Sequence, residues 1–337
     1  MTGKENGLKE KLILSVFNKK RFREYIRSYA LFIIFLVLCI ILAFASDTFL
    51  KPNNIINVFR QISINGILAL GMTFVIILGG IDISVGSVAA VAGVVASLVL
   101  ELNGAPAVLA ILAGILAGGV MGMFIGFLVS KMRIAPFIAS LAMMTIARGL
   151  ALVIAGGVPH SIYNKAFLFI GNGYLWPKTT ADSISLPISV MIFIVCIIIV
   201  ATILYKTKFG RHVYAVGGNE AAARASGIKV DRVKFFTFVI NGLLCGTAGI
   251  VLASRITSGQ PAAAAGYELD AIAAVIIGGA SLFGGMGKVG GTIIGALIIG
   301  VLNNGLVLLA VSSYYQQIIQ GIIIAGAVIL DSRTKKV

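Results

Sequence analysis

Stretches of roughly twenty apolar residues recur along nearly the whole chain, separated by short polar breaks, and this one feature excludes most folds. Each stretch is long enough to cross the ~30 Å hydrocarbon core of a bilayer. The 337 residues are 59% hydrophobic and 12% charged, half the charge that a soluble domain usually carries at about 25%. Too little polar surface remains to cover a water-soluble globule. The pattern predicts an all-α polytopic membrane protein forming a single transmembrane domain over residues 1–337. Hydropathy places ten spans near 29–49, 57–80, 84–102, 106–130, 134–156, 187–205, 235–254, 267–284, 289–309 and 316–331.

Ten spans put both termini on one side, and the basic residues choose it. With the N-terminus inside, the tails and inner loops hold 21 of the 27 lysines and arginines. Outside or within spans remain Lys51, Arg60, Arg148, Lys165, Lys178 and Arg255. The net charge of +15 therefore reads as a cytoplasmic orientation signal rather than as a nucleic-acid surface. Residues 8–27 alternate Leu8, Leu12, Ile13, Val16, Phe17 and Phe22 with basic residues, which suits an amphipathic helix on an anionic leaflet. Residues 1–28 are thus a cytoplasmic amphipathic segment. An apolar first stretch longer than a signal peptide's core predicts an uncleaved first span.

Most of the forty glycines sit inside apolar runs. Gly114, Gly118, Gly122 and Gly126 recur every fourth residue, which lines one helical face with small residues and favours close packing in lipid. Cys39, Cys196 and Cys245 all fall in apolar spans and lack disulfide or metal-ligand spacing. Two histidines, His160 and His212, are expected on opposite sides of the membrane. Neither a catalytic set nor a metal site is predicted.

Val75–Gly80 and Val275–Gly279 each end an apolar run in paired glycines, as broken helices in the repeated halves of transporters do. After the first pair comes Ile81-Asp82-Ile83-Ser84. Ser84 is a candidate N-cap for the next helix, and Asp82 is an ionisable group at membrane depth, a functional candidate by default. Arg148, well inside the fifth span, is costly to bury and must face protein or water, with Asp82 a conceivable partner. The amides Asn65, Asn241, Asn303 and Asn304 also fall within spans. They can bond neighbouring helices or a neutral polyol in transit. Asn65, Asp82, Ser84, Arg148, Asn241, Asn303 and Asn304 are accordingly the candidates for a translocation path.

Gly285-Met286-Gly287-Lys288-Val289-Gly290 fits G-x-G-x-x-G formally, yet it follows a membrane span rather than a strand, and no phosphate-binding loop accompanies it. Any nucleotide is handled by another chain. The inner loop 206–234 contains Val216-Gly217-Gly218-Asn219-Glu220-Ala221-Ala222-Ala223-Arg224-Ala225-Ser226-Gly227-Ile228. Asn219 can cap a short helix and Gly227 can end it. Glu220 and Arg224 share a face.

Four segments in order carry a resemblance: GGIDISVG, VYAVGGNEAAARASGI, GYELDAIAAVIIGGASLFGG and LNNGLVLLAVSSYYQQ. Through them, over roughly residues 50–332, the chain resembles the bacterial permeases of ABC-type monosaccharide importers, particularly the ribose-transporting members. The resemblance implies ten spans and translocation of ribose or a related monosaccharide by alternating access in the bacterial inner membrane. Its implied partners are a second copy of the chain, a cytoplasmic ABC ATPase that holds ATP and Mg, and an extracytoplasmic sugar-binding protein. It makes the loop at 206–234 the ATPase-coupling segment, with Gly217, Gly218, Asn219, Glu220, Ala222, Arg224 and Gly227 as contact or shape-determining residues. Arg255, Lys165 and Lys178 become candidates for docking the binding protein. An ion-coupled secondary sugar transporter is the alternative; a membrane scaffold or a channel stands behind it.

Overall fold

A computed structural model describes residues 31–102, 104–176 and 185–334. The amphipathic segment 8–27 and Lys178 lie outside the described residues. Thirteen helices are described: α1 (Leu31–Ala45), α2 (Pro52–Ile77), α3 (Val85–Glu101), α4 (Ala107–Ser130), α5 (Pro136–Ile154), α6 (Lys165–Asn172), α7 (Ile188–Lys206), α8 (Lys208–Gly218), α9 (Glu220–Ala225), α10 (Val230–Ile256), α11 (Tyr267–Ile277), α12 (Val289–Leu308) and α13 (Ser313–Thr334). Every expected span contains one of them. Six are long and apolar enough to cross a membrane, namely α2, α4, α5, α7, α10 and α12.

The helices divide into a core and a rim. The most apolar window of α2 is 89% buried and that of α10 67%, whereas α4, α5 and α7 reach only 28–33%. Rim helices that are apolar on the outside suit a lipid solvent, where exposed leucine costs nothing. Prolines at the first turns of α2 and α5 fit positions whose N–H has no helical partner.

Glycine decides how closely the core helices approach. The expected glycine face of α4 lies against α10: a Cβ at Gly118 would stand 2.8 Å from the Gly246 Cα, at Gly122 3.0 Å from the Gly242 Cα, and at Gly126 2.8 Å from the Phe235 carbonyl. Side chains on either helix would force the backbones apart.

The structure departs from hydropathy at residues 267–284, read above as one span. Only α11 is helical there, and its eleven residues reach about 16 Å, half the core. The remainder folds into a turn. Apolar composition misled because the residues after α11 are apolar yet form a turn at the end of the bundle, with Ala280 and Gly284 buried and Phe283 and Met286 exposed. The turns after α2 and α11 have the same form. Gly79 N–H donates to Ile76 O and Gly80 N–H to Val75 O; Gly279 N–H donates to Ile276 O and Ala280 N–H to Val275 O. Gly79 and Gly279 both have φ +86°, a conformation that costs a glycine little.

At the opposite end, β1 (His160–Ser161) pairs antiparallel with β2 (Ser258–Gly259). Helix α6 is clasped to the end of α10: the Ser254 hydroxyl accepts the Gly171 N–H at 2.7 Å and donates to Phe167 O at 2.7 Å, and Asn172 Nδ2 donates to Ser254 O at 2.7 Å.

Candidate translocation layer and coupling surface

Two helices begin in mid-molecule. Helix α3 starts at Val85, beside Asn241 of the long α10, and α11 starts at Tyr267 after the chain 257–266 has dipped inward. Their N-termini meet, because a Cβ at Gly86 would collide with Ala264 O and stand 2.5 Å from Glu268 Oε2. A polar layer therefore lies inside the apolar bundle.

Asp82 is buried in this layer. One carboxylate oxygen accepts the Ser84 N–H at 2.8 Å and the Ser84 hydroxyl at 2.6 Å; the other accepts Asn241 Nδ2 at 2.7 Å. The expected Ser84 cap is corrected here: Ser84 makes no side-chain capping bond, since its hydroxyl is donated to Asp82 and Asp82 itself takes the backbone N–H. The expected Asp82–Arg148 pairing is also absent. Arg148 on α5 donates instead to Pro261 O at 2.5 Å and Ala263 O at 2.9 Å, pinning the inward-dipping chain.

A second knot centres on Asp270 of α11. Oδ2 accepts Asn65 Nδ2 of α2 and Asn303 Nδ2 of α12, both at 3.1 Å, and Oδ1 accepts Gln320 Nε2 of α13 at 3.0 Å. One carboxylate thus joins four helices. Asn304 faces elsewhere and forms a reciprocal amide pair with Asn54 at 2.9 and 3.0 Å. Sequence reasoning found Asn65 and Asn303 but missed Asp270, Glu268 and Gln320. The signal available was a pair of acidic residues at the head of an apolar run.

At the far end of the bundle, α9 stands out as a short exposed helix. The Asn219 side chain accepts the Ala222 N–H at 2.9 Å, and Gly227 leaves the helix with φ +82°, as its sequence implied. Glu220 is gripped from two sides, by Lys234 at 2.7 Å and Arg224 at 3.3 Å, and Arg224 also reaches Asp231 at 3.4 Å. The Lys234 hydrogen bond holds the Glu220 carboxyl below its ordinary range. Ala222 and Arg224 are exposed while Ala223 is buried, so the helix shows one face outward and is anchored by the other.

Gly217 and Gly218, which precede α9, part company. A Cβ at Gly217 would collide with Ile77 O, whereas one at Gly218 meets nothing within 4 Å. Gly285 N–H donates to that same Ile77 carbonyl at 2.8 Å, and a Cβ at Gly284 would stand 2.6 Å from Gly217 O and 3.1 Å from the Gly79 Cα. Tyr214 Oη donates to Gly287 O at 2.7 Å. The end of α8 and the turns after α2 and α11 therefore meet backbone to backbone.

Of the docking candidates, Lys165 is exposed at the start of α6, and Arg255 is partly buried in the last turn of α10 beneath it. Among the described residues there is no cluster of three or more His, Cys, Asp or Glu able to hold a metal ion.

Broken helices meeting in a polar layer, set within an apolar bundle, define a multi-pass membrane permease. Residues 54–328 match the family described as branched-chain amino acid transport system / permease component, and the chain belongs to this family. It is 48% identical over 300 residues to the ribose import permease protein of Bacillus subtilis, covering 88% of this chain and 90% of that protein. Identity to the ribose import permease protein of Escherichia coli K12 is 43% over 300 residues, covering 88% and 91%. The L-arabinose transport system permease protein of the same strain is 39% identical over 308 residues, covering 91% of each. No solved structure matches the chain. The chain is a permease component and not an enzyme, and the ion-coupled alternative has no support among these relatives.

Proposed function

We propose that this chain is the transmembrane subunit of an ATP-binding-cassette importer that moves ribose, or a closely related pentose, into the bacterial cytoplasm. The observation that carries the reading is similarity to ribose import permeases at 43–48% identity over 88% of the chain. In this reading the end bearing α8 and α9 is cytoplasmic, and the membrane is the inner one.

Exposed α9 suits insertion into a groove of a cytoplasmic ATPase, which binds and hydrolyses ATP with Mg. Asn219, Glu220, Ala222, Arg224 and Gly227 shape that contact, while Gly217 and Gly218 join it to the bundle. The loaded sugar-binding protein docks at the opposite end, near Lys165, Arg255 and Lys178. A second copy of the chain completes the path. The support is physical: α5 buries only 28% of its most apolar window within this chain, leaving an apolar face that a second copy can cover. ATP changes affinity for sugar only by favouring one of two conformations with different binding, since equal binding shifts nothing.

Co-reconstitution of the chain with its ATPase and binding protein tests this directly. Labelled ribose should accumulate in proteoliposomes only with ATP on the cytoplasmic side, and unlabelled ribose should compete better than arabinose. Uptake by the chain alone under a proton or sodium gradient, or sustained downhill flux without ATP, overturns the reading.

A further inference from the structure

Three carboxylates belong to the polar layer, and they differ in what they have left to offer. Asp82 spends both oxygens on Ser84 and Asn241, and Asp270 spends both on amides from three helices. Both are buried. Glu268 is different. Its Oε1 accepts the Gly266 N–H at 3.2 Å, its Oε2 has no hydrogen-bond partner among the described residues, and the side chain is partly exposed.

Its depth follows from the helices around it. Glu268 lies in the first turn of α11 and its Oε2 sits against Gly86, in the first turn of α3. Helix α11 runs from there only about 16 Å to the turn beside Ile77 and Gly217, so the carboxylate stands about half a core thickness from that end. An ionisable group there faces water, a ligand or protein, because lipid would be prohibitive. Arg148 lies near enough to feel its charge but forms no ion pair with it among the described residues, its guanidinium being held by Pro261 O and Ala263 O. Ala262, Ala265 and Leu269, near Glu268 in sequence, are exposed.

We propose that Glu268 lines the water-filled path and accepts hydrogen bonds from the hydroxyl groups of a neutral sugar in transit, with Arg148 as the positioning residue that fixes the opposing chain. This rests on the importer reading above and assigns its contact residue. A carboxylate accepts from two neighbouring hydroxyls at once and repels anionic cargo, so the path takes neutral polyols and rejects sugar phosphates and sugar acids.

The test uses the full importer in proteoliposomes. Glu268→Gln keeps an oxygen for Gly266 but removes the charge. It should lower ribose uptake about tenfold, the scale of one hydrogen bond to a charged acceptor, with ATPase stimulation by loaded binding protein within about twofold of the native complex. In a chain whose Cys39, Cys196 and Cys245 are alanine, Glu268→Cys should react with a charged, membrane-impermeant thiosulfonate, and ribose with its binding protein should slow that reaction. If Glu268→Gln does not accumulate, the cysteine variant decides. An inert Glu268→Cys, marking a dry interface or lipid contact, overturns the proposal, as does native uptake by Glu268→Gln. If the native complex shows no ATP-dependent uptake, the importer reading itself has failed, and thiosulfonate access to Glu268→Cys still reports whether the position faces water.

Discussion

At the scale of single residues, the buried polar groups fall into those that hold helices and those open to a ligand. An interhelical hydrogen bond in a membrane contributes about 0.6 kcal/mol on average, because unfolded helices also find partners there. By that measure the Asn54–Asn304 pair is worth about 1 kcal/mol and the three donors on Asp270 about 2 kcal/mol. Asp270→Ala should therefore lower the melting temperature of the purified protein more than Asn304→Ala does, with uptake per folded molecule falling as α13 loosens. His160 gives a second residue-scale expectation. Its Nδ1 lies 2.6 Å from Glu101 Oε1 and its Nε2 lies 3.1 Å from Ala155 O, an arrangement that needs both nitrogens protonated. The Glu101 contact raises its pKa, so this clasp stabilises the fold fully below about pH 6.5 and fades as pH rises through the raised value. The melting-temperature gap between native protein and His160→Gln should accordingly shrink from mildly acid to alkaline buffer.

At the scale of elements, the meeting of three backbone segments around Ile77 is the natural route from α9 to the broken helices. Gly217→Ala must push Ile77 and the turn at 284–285 apart, whereas Gly218→Ala meets open space. The expected outcome is that Gly217→Ala uncouples, hydrolysing ATP with little sugar uptake, while Gly218→Ala transports as the native chain does; equal ratios of sugar moved to ATP hydrolysed in both would remove the junction from the mechanism. The elements were also where the sequence read best. Hydropathy located every described span, and Asn219 and Gly227 marked both ends of α9. The half-length of α11 was not legible, since the turn that follows it is as apolar as a helix facing lipid. Nor were the partners in the polar layer, because Asp270 and Asn65 are 205 residues apart and no local pattern links them. Ser84 fits the residue preference of a cap, but its hydroxyl donates to Asp82, two residues before it, instead of accepting a backbone N–H of α3.

At the scale of the whole molecule, this chain is a buried helical core within an apolar rim. Helices α2 and α10 bury most of their apolar windows, and α5 presents an exposed apolar face that includes Leu141, Ile146 and Leu152. A second copy packed on that face would cover it. Cross-linking of single cysteines placed on the exposed face of α5, for example at Thr145, should give a covalent dimer in native membranes; a chain that stays monomeric under oxidation in the assembled importer would count against that arrangement.

The self-contained ends of α9 have a consequence for how such machines trade parts. A six-residue helix with its own cap at Asn219 and its own exit at Gly227 carries both of its end signals within one short stretch. Replacing residues 219–227 with the matching stretch of a related permease should redirect this chain to that system's ATPase while its choice of cargo stays the same. Partner choice and cargo choice would then be free to diverge separately, one at the tip of a loop and the other in the depth of the bundle.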